Sequence, residues 1–197
     1  RSQPCHQSVR VRPGAGVDFA VNFEEFPWPI RDNDFDCIIC HFCLEHVSWR
    51  KTGAFLKEVY RILKPGGRAV FAVPNTEAQI QWLIEHPEGW DGKNFFESAS
   101  GVLFGDCDYP ENSHKAFFTP GILVQLFAGA GFENVLTQPY GERGTDMAVT
   151  AVKPVPPQGT INLVSTEATP QSRREQAMEH AVQPSHLLAL PPGEAFD

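Results

Sequence analysis

The stretch PWPIRDNDFDCIICHFCLEHV (27–47) and its continuation through LKPGGRAVFAVP (63–74) decide the fold of this chain. Within it, DFDCIICH (34–41) is a short apolar run after a turn-forming cluster, which is typical of a strand buried on both faces. KPGG (64–67) is expected to stop a helix, because proline cannot continue one and glycine accepts a positive φ. RAVFAVP (68–74) is a second apolar run. Strand, helix and strand of these lengths predict a right-handed crossover unit of a parallel sheet.

The segment between the two runs is predicted to be an amphipathic helix. Its apolar side chains recur at a spacing that places them on one face, and these are Phe55, Leu56, Val59, Ile62 and Leu63. We expect Lys57, Glu58 and Arg61 on the opposite, solvent-facing side. The helix would therefore cover the sheet with one face only.

Length and charge limit what the chain does. Its 197 residues allow one domain of ordinary size and a tail, and 42% hydrophobic residues suffice for a core. No apolar run approaches the ~20 residues that span a bilayer, so we expect no membrane insertion. The net charge of −8 argues against general nucleic-acid binding.

Cys37, Cys40 and Cys43, three of the five cysteines, are predicted to be buried, reduced thiols, and we expect a cytoplasmic, reducing compartment. The odd total and the central placement of these three disfavour a disulfide framework. Cys37, Cys40 and Cys43 have a spacing that also suits a metal, with His41 and His46 nearby. Positions 37 and 40 of a strand point to opposite faces, however, so the thiol interpretation is preferred and no metal is expected.

The remaining pattern completes a sheet with helices. VDFAVNF (17–23), FENVLTQ (132–138) and DMAVTAVKP (146–154) are predicted strands. Residues 76–87 are a predicted helix with Thr76 as N-cap and three residues inward: Ile80, Leu83 and Ile84. Another helix begins at Thr119-Pro120, and its apolar face is Ile122, Leu123, Leu126 and Phe127.

Four segments are expected in the chain. Residues 1–16 are irregular, and 17–153 form the folded domain. Within that domain, 88–118 lacks a sustained period and is rich in aromatic residues, which indicates a lid or a substrate loop. Residues 154–197 are rich in proline and polar residues and are predicted to be a disordered tail.

Taken in order, FPWPIRDNDFD, CHFCLEHV, KPGG with RAVFAVPN, and the later AGF resemble the C-terminal two-thirds of a class I S-adenosylmethionine-dependent methyltransferase. The resemblance covers roughly residues 17–153. It implies an α/β, Rossmann-like sheet with helices on both faces and a last strand antiparallel to its neighbours. It also implies S-adenosylmethionine as the cofactor.

The sequence departs from that family at its front. The family's first strand, its Gly-rich turn and an acidic residue after the second strand are not found, and Gly14-Ala15-Gly16 follows no strand. The missing strand would lie between the strands at 17–22 and 35–41, so the sheet is expected to lack its first strands. We interpret the sequence as a piece of a longer chain. The alternative is a chain that has lost cofactor binding and acts as a scaffold.

Ligands of open parallel sheets bind beyond the carboxyl ends of the strands, and the resemblance implies a cofactor site there. Asn22 matches the position that contacts the adenine amino group, and Phe23 would pack against the adenine ring. His41 and Phe42 match positions that approach the methionine part. Glu45 follows at the start of the next helix, where a carboxylate complements the helix dipole.

Substrate contacts are expected at the neighbouring strand end and in the insertion. Pro74 and Asn75 end the strand 68–73, and Lys115 would meet an anionic substrate. His41, His46 and His114 are the candidate general bases, because imidazole titrates near neutral pH. Methyl transfer needs in-line positioning and at most one base, without a metal or a covalent intermediate.

The predicted function is therefore S-adenosylmethionine-dependent methylation of a small-molecule or glycan-like acceptor. The rival prediction is a catalytically silent methyltransferase-like subunit, with a protein partner covering the incomplete sheet. A dinucleotide-dependent enzyme is disfavoured, because no G-x-G-x-x-G is present.

Overall fold

The computed structural model of the chain describes residues 9–10, 14–15, 18–90 and 92–157. Ten helices and strands are found there: β1 (Val9–Arg10), β2 (Phe19–Ala20), β3 (Phe35–His41), α1 (Thr52–Ile62), β4 (Leu63–Pro74), α2 (Thr76–Glu85), α3 (Phe95–Phe104), α4 (Pro120–Ala130), β5 (Glu133–Tyr140) and β6 (Asp146–Val152). Two short 3₁₀ turns, Leu44–His46 and Pro110–Asn112, lie between them.

The main sheet has the order β3-β4-β6-β5. β3 and β4 are parallel and joined through α1, which confirms the predicted crossover connection. β6 runs antiparallel to both β4 and β5, as the resemblance implied. α1 packs against α4, and α2 packs against α3. The architecture is α/β and Rossmann-like.

The KPGG segment belongs to the beginning of β4. The helix ends at Ile62, and the pairing of β3 with β4 then shifts from Phe35 opposite Leu63 to Cys37 opposite Arg68. Gly66 takes a φ of +79°, and its N–H donates to the carbonyl of Lys153 over 2.8 Å. The glycines therefore form an irregularity in the strand that also ties it to the end of β6.

Gly67 is predicted to tolerate no side chain. A Cβ there would lie 2.7 Å from the carbonyl oxygen of Lys64 and 3.2 Å from that of Asp36. We expect Gly67→Ala to lower the free energy of unfolding by about 1–3 kcal/mol, as overpacking does. Urea denaturation measures it, with Gly101→Ala in α3 as the control, because a Cβ there meets nothing within 4 Å. Equal stability of the two variants would contradict the prediction.

The strand predicted at 17–23 is mostly wrong. Among the described residues of that stretch, only Phe19–Ala20 forms a strand, and it pairs in parallel with Val9–Arg10 in a separate two-stranded sheet. A short alternating pattern indicates an extended segment, but its pairing partner decides the sheet it joins. Among the described residues, β3 is consequently an edge strand of the main sheet.

The expectation that the strand at 34–41 is buried on both faces is also wrong. Ile39 is 68% exposed, and Cys37 is exposed as well. Ile38 and Cys40 are half-buried and pack against the core. A continuous apolar run is buried on both faces only when other layers of the protein cover both faces of the strand. The described residues cover one face of β3.

Glu58 corrects the predicted polar face of α1. Its side chain is buried, and the carboxylate forms an ion pair with Arg61 at 2.6 Å. The same carboxylate accepts the N–H of Trp28 over 2.7 Å. The segment before β3 thus lies over this part of the helix, which helical periodicity does not reveal. The rest of the prediction holds, since Phe55, Leu56, Val59 and Ile62 are buried.

α2 and α4 lie where helices were predicted, but some of the residues predicted to be buried are exposed, and α2 has a different N-cap. In α2 only Leu83 of the three predicted inward residues is buried, since Ile80 and Ile84 are exposed, and the N-cap is Asn75 rather than Thr76. In α4, Thr119 is the N-cap, Leu123 and Phe127 are buried, and Ile122 is exposed. α3 lies in the insertion, where no helix was predicted, and it starts at a capping box between Asn94 and Glu97.

The prediction of buried, reduced thiols is wrong for Cys40 and Cys43, and for Cys37 it is wrong about burial only. Cys40 and Cys43 form a disulfide, while Cys37 and Cys107 are exposed thiols. Phe42 has a φ of +51°, and this turn brings position 43 back to within 6.5 Å of Cys40, Cα to Cα. The argument that alternate side chains point to opposite faces applies only within β3, and Cys43 lies beyond the end of that strand. Cys5 lies outside the described residues.

Within the described part of the chain, no helix is long and apolar enough to cross a membrane. The predicted irregular segment lies largely outside the described residues, and so does the tail beyond 157. The segment boundaries and the role of 88–118 as a lid or substrate loop stay predictions.

Candidate active site

The site begins where β3 ends. Phe42 turns the chain away from the sheet, with its N–H donating to the carbonyl of Ala72 in β4 over 2.8 Å. The 3₁₀ turn Leu44–His46 follows directly and is buried at Leu44 and Glu45. The carboxyl end of a parallel strand therefore presents Glu45 and His46 as a pair.

A segment from the insertion meets this turn. The backbone carbonyl of Glu45 accepts the N–H groups of Lys115 and Ala116 over 2.7 and 3.2 Å. The N–H of His114 donates to the carbonyl of Phe104 at the end of α3 over 2.9 Å. These bonds hold His114 against His46, with ring centroids 5.2 Å apart.

Glu45, His46 and His114 form one cluster. One side-chain ligand atom from each lies within 4.8 Å of the others, and His46 Nε2 is 3.9 Å from Glu45 Oε1. Glu45 is only 2% exposed, and its Oε2 has no hydrogen-bond partner. Two of the three predicted catalytic histidines are thus brought together with a residue that was predicted to bind the cofactor.

Hydrogen bonds determine the tautomer of both imidazoles. His46 Nδ1 lies 3.1 Å from the carbonyl oxygen of Ser113, and His114 Nδ1 lies 3.1 Å from that of Val102. A carbonyl oxygen only accepts, so each Nδ1 must carry the proton. In the neutral imidazoles the lone pair is then on Nε2.

Burial sets the protonation of the cluster. It raises the pKa of Glu45 from 4.5 to about 7, opposed by its own backbone N–H and assisted by the charge of Asp146. Burial also lowers the pKa of His46, opposed by the Ser113 hydrogen bond and assisted by the positive charges of His114 and Lys115. His46 is accordingly a neutral base at pH 7, beside a carboxyl group that titrates there.

Lys115 forms an ion pair with the carboxylate of Glu24. Its Nζ lies 3.2 Å from Glu24 Oε1, which also accepts the N–H of Ser48 over 2.9 Å. The predicted role of Lys115 in meeting an anionic substrate remains a prediction, and the ion pair would have to open for it.

A cavity of about 880 Å³ runs along β3 to the cluster. Phe23, His41, Phe42 and His46 line it, together with Tyr109 and Asn112 from the insertion. Tyr140 at the end of β5 lies against His41 and Phe42, with ring centroids 5.9 and 6.2 Å away. Volumes of this size hold small molecules and cofactors.

Three predicted site residues lie away from that cavity or are occupied. Asn22 lines a separate, smaller pocket, and its side chain bonds to Glu25 Oε1 and to the N–H of Glu24. Pro74 is buried. Asn75 uses its Oδ1 to accept the N–H of Ala78 as the cap of α2. The roles proposed for Asn22, Pro74 and Asn75 stay predictions. The structure does not place these residues in the Glu45–His46–His114 cluster.

Sequence reasoning missed Asp146 and Tyr140. These two residues pair across β5 and β6, and Asp146 also pairs with Pro74 of β4. Asp146 Oδ1 accepts from Gln79 Nε2 over 3.2 Å, and burial raises the pKa of Asp146. Only strand pairing brings Asp146 near the turn at 44–46, which is one hundred residues earlier. No local sequence pattern therefore indicates that Asp146 belongs to the site.

The chain belongs to the methyltransferase domain family, whose model matches residues 4–137. It is similar to the ubiquinone/menaquinone biosynthesis C-methyltransferase UbiE of Desulfotalea psychrophila, with 28% identity over 128 residues that cover 62% of this chain and 49% of that protein. The UbiE protein of Vibrio cholerae is 49% identical over 48 residues, which cover 24% of this chain and 17% of that protein. The chain thus spans half or less of the length of these curated relatives.

Solved structures are similar as well. A methyltransferase of Thermotoga maritima described as a possible histamine N-methyltransferase has a TM-score of 0.44 and 23% identity, covering 70% of this chain and 65% of that one. A methyltransferase of Aquifex aeolicus has a TM-score of 0.44 and 18% identity, covering 71% of this chain and 56% of that one.

S-adenosylmethionine is the methyl donor of this family. The described residues fit one part of S-adenosylmethionine, its sulfonium group. Phe23 and Phe42 give the cavity aromatic walls, and the exposed ring of Phe42 offers a face of the kind that attracts a cation such as a sulfonium. Phe23, His41 and Phe42 would hold the cofactor.

Proposed function

We propose that this domain methylates a small-molecule or glycan-like acceptor, using S-adenosylmethionine. The observation that carries the proposal is the Glu45–His46–His114 cluster beside a cavity at the end of β3. The names of the UbiE relatives, which act in quinone biosynthesis, favour a small ring-bearing acceptor over a glycan.

In the proposed mechanism the donor, when bound, supplies an electrophilic methyl group on a sulfonium. The acceptor lies in the cavity with its O–H directed at His46 Nε2. Because that nitrogen carries a lone pair and burial keeps the imidazole neutral, it takes the acceptor's proton as the methyl group is transferred. Phe23, His41 and Phe42 would hold the donor, which would supply the methyl group to the acceptor and become a neutral thioether.

Binding of S-adenosylhomocysteine tests the cofactor part of the proposal. By isothermal titration we expect saturable binding to an N-terminally extended chain and weak or absent binding to residues 1–197, where the family's Gly-rich turn is not found. In the extended chain, Phe42→Ala should weaken binding at least about tenfold, as the loss of a stacking or cation–π contact does. Phe96→Ala is the matched control, because that ring is exposed on α3 and does not line the cavity. An absence of saturable binding to the extended chain, or equal affinities of the two variants, would reject the site.

A second candidate is a silent subunit of a complex, which the exposed Ile39 on the edge strand favours. Under this alternative a partner would cover β3. It predicts no nucleoside binding to the extended chain and no transfer of a labelled methyl group to any quinol or phenol in a panel. Transfer that is lost in His46→Gln would instead support the enzyme.

A further inference from the structure

We propose that Glu45, His46 and His114 form a binding site for a divalent transition-metal ion of the Zn²⁺ type. The spacing of Cys37, Cys40 and Cys43, with His41 and His46 nearby, favoured buried thiols over a metal, and the grouping of Glu45, His46 and His114 is visible only in the fold. The three residues come from two segments that are nearly seventy positions apart, so the site exists only in the folded chain. Metal binding itself does not depend on the proposed function.

The two imidazoles are oriented as metal ligands are. A metal-bound histidine donates its other ring N–H to a carboxylate or to a backbone carbonyl, which fixes its tautomer and its orientation. His46 and His114 each have such a carbonyl 3.1 Å from Nδ1, supplied by Ser113 and Val102. Both Nε2 lone pairs are therefore available without a tautomer change.

Glu45 supplies the independent evidence that a ligand is missing. A buried polar atom almost always has a partner, because its desolvation is otherwise uncompensated. The Glu45 side chain is 3% exposed, yet Oε2 has no hydrogen bond, and His46 Nε2, 3.9 Å from Oε1, belongs to a neutral imidazole. A cation between the carboxylate and the two Nε2 atoms would satisfy it.

The distances between the three side chains allow them to bind one metal ion if their ligand atoms move slightly closer together. Ligand atoms of a tetrahedral Zn²⁺ site are about 3.4 Å apart, given bonds of about 2.0–2.1 Å. The three groups here lie within 4.8 Å of one another, so side-chain rotation by about 1 Å closes the site. Two imidazoles and one carboxylate suit Zn²⁺, whereas Mg²⁺ and Ca²⁺ prefer oxygen ligands only.

Three protein ligands leave a coordination position open, as in catalytic rather than structural zinc sites. His46 lines the 880 Å³ cavity, so the open position faces it. There the ion would bind the acceptor's hydroxyl oxygen and lower its pKa, so that the proton passes to water while His46 acts as a metal ligand rather than as the base. This last step rests on the proposed function.

The experiment is titration of the full chain, free of reductant and of methyl donor, with ZnCl₂ by calorimetry and with CoCl₂ by visible absorption. We expect one equivalent to bind. Glu45→Gln and His114→Gln should each weaken binding by more than the about 10–100-fold that the loss of an outer-sphere partner costs. His86→Gln is the control, because that half-buried histidine likewise bonds to a carbonyl, of Trp82, but lies outside the cluster.

Cobalt distinguishes this site from a thiol site. Glu and His ligands give d–d bands only, whereas cysteine adds an intense thiolate-to-metal charge-transfer band. Such a band, unchanged binding in both cluster variants with native circular dichroism, no binding at millimolar Zn²⁺, or equally tight binding of Mg²⁺ would overturn the proposal. Zinc binding without affinity of the extended chain for S-adenosylhomocysteine would uphold the site and reject the proposed function alone.

Discussion

Glu45→Gln is expected to stabilise the domain by about 3 kcal/mol at pH 8. Burial raises the pKa of Glu45 from 4.5 to about 7, so ionisation of this group at high pH works against the folded state. Glutamine keeps the shape of the side chain and carries no charge. Urea denaturation at pH 8 with a chelator present measures the difference without any contribution from a bound metal.

The sign follows from proton binding. Between about pH 4.5 and 7 the folded carboxyl binds its proton while the unfolded one has lost it, so the wild type loses stability as pH rises through this range. The advantage of the variant should therefore shrink to less than about 1 kcal/mol at pH 5. His46, whose pKa is lowered, has the opposite pH dependence, but it is present in both proteins and largely cancels from the comparison.

Three results bear on this prediction. A stability difference that grows between pH 5 and pH 8 confirms it. A constant difference would mean that glutamine changes packing rather than charge. A variant less stable than the wild type at pH 8 would show that the carboxylate has a partner in the folded state, contrary to the orphaned Oε2.

Arg61→Ala is expected to destabilise the domain by about 3 kcal/mol, the lower end of the range for breaking a buried ion pair, because Arg61 is partly exposed. Its guanidinium pairs with Glu58 and Asp32 and donates to the carbonyl of Ile30 over 2.9 Å. Burial alone would raise the pKa of Glu58, but hydrogen bonds from Arg61 and from the Trp28 N–H outweigh it and lower the pKa. Without Arg61 the buried Glu58 carboxylate keeps the Trp28 N–H as a hydrogen-bond donor but has lost the arginine charge that balances its own.

Two further variants isolate the charge. Arg68→Ala removes an exposed arginine and should change the free energy of unfolding by less than about 0.5 kcal/mol. Adding Glu58→Gln to Arg61→Ala should restore part of the loss, because the uncompensated charge is then gone. Additive losses in the double variant would show that packing of the arginine stem, rather than the ion pair, stabilises this region.

Local patterns sufficed for much of the fold. The apolar run 34–41, the helical spacing of Phe55, Leu56 and Val59, and the proline and glycines after Leu63 each report on neighbours in the chain. The parallel pairing of β3 with β4 followed from the connection length, and it is confirmed. Thr119 was found as a cap because a cap is a property of four consecutive residues.

The misplaced residues were those whose environment comes from distant parts of the chain. Glu58 looked solvent-facing by helical period but is covered by the segment at Trp28, thirty residues earlier. Ile39 looked buried but lies on a strand that the described residues cover on one side only. Ile84 lies on the predicted inner face of α2 and is exposed.

The sequence by itself determined the crossover unit and the order of helices and strands from residue 34 onward apart from α3, and it indicated His41, His46, His114 and Glu45 as candidate site residues. These features depend on interactions between residues a few positions apart, which the order of amino acids states directly. Only the tertiary structure decided that His46 and His114 share one cluster with Glu45, that His41 lies apart beside Tyr140, and that Asn22 faces another pocket. The cluster depends on backbone hydrogen bonds between the turn at 44–46 and the segment at 113–116, which are about seventy residues apart and leave no pattern in either.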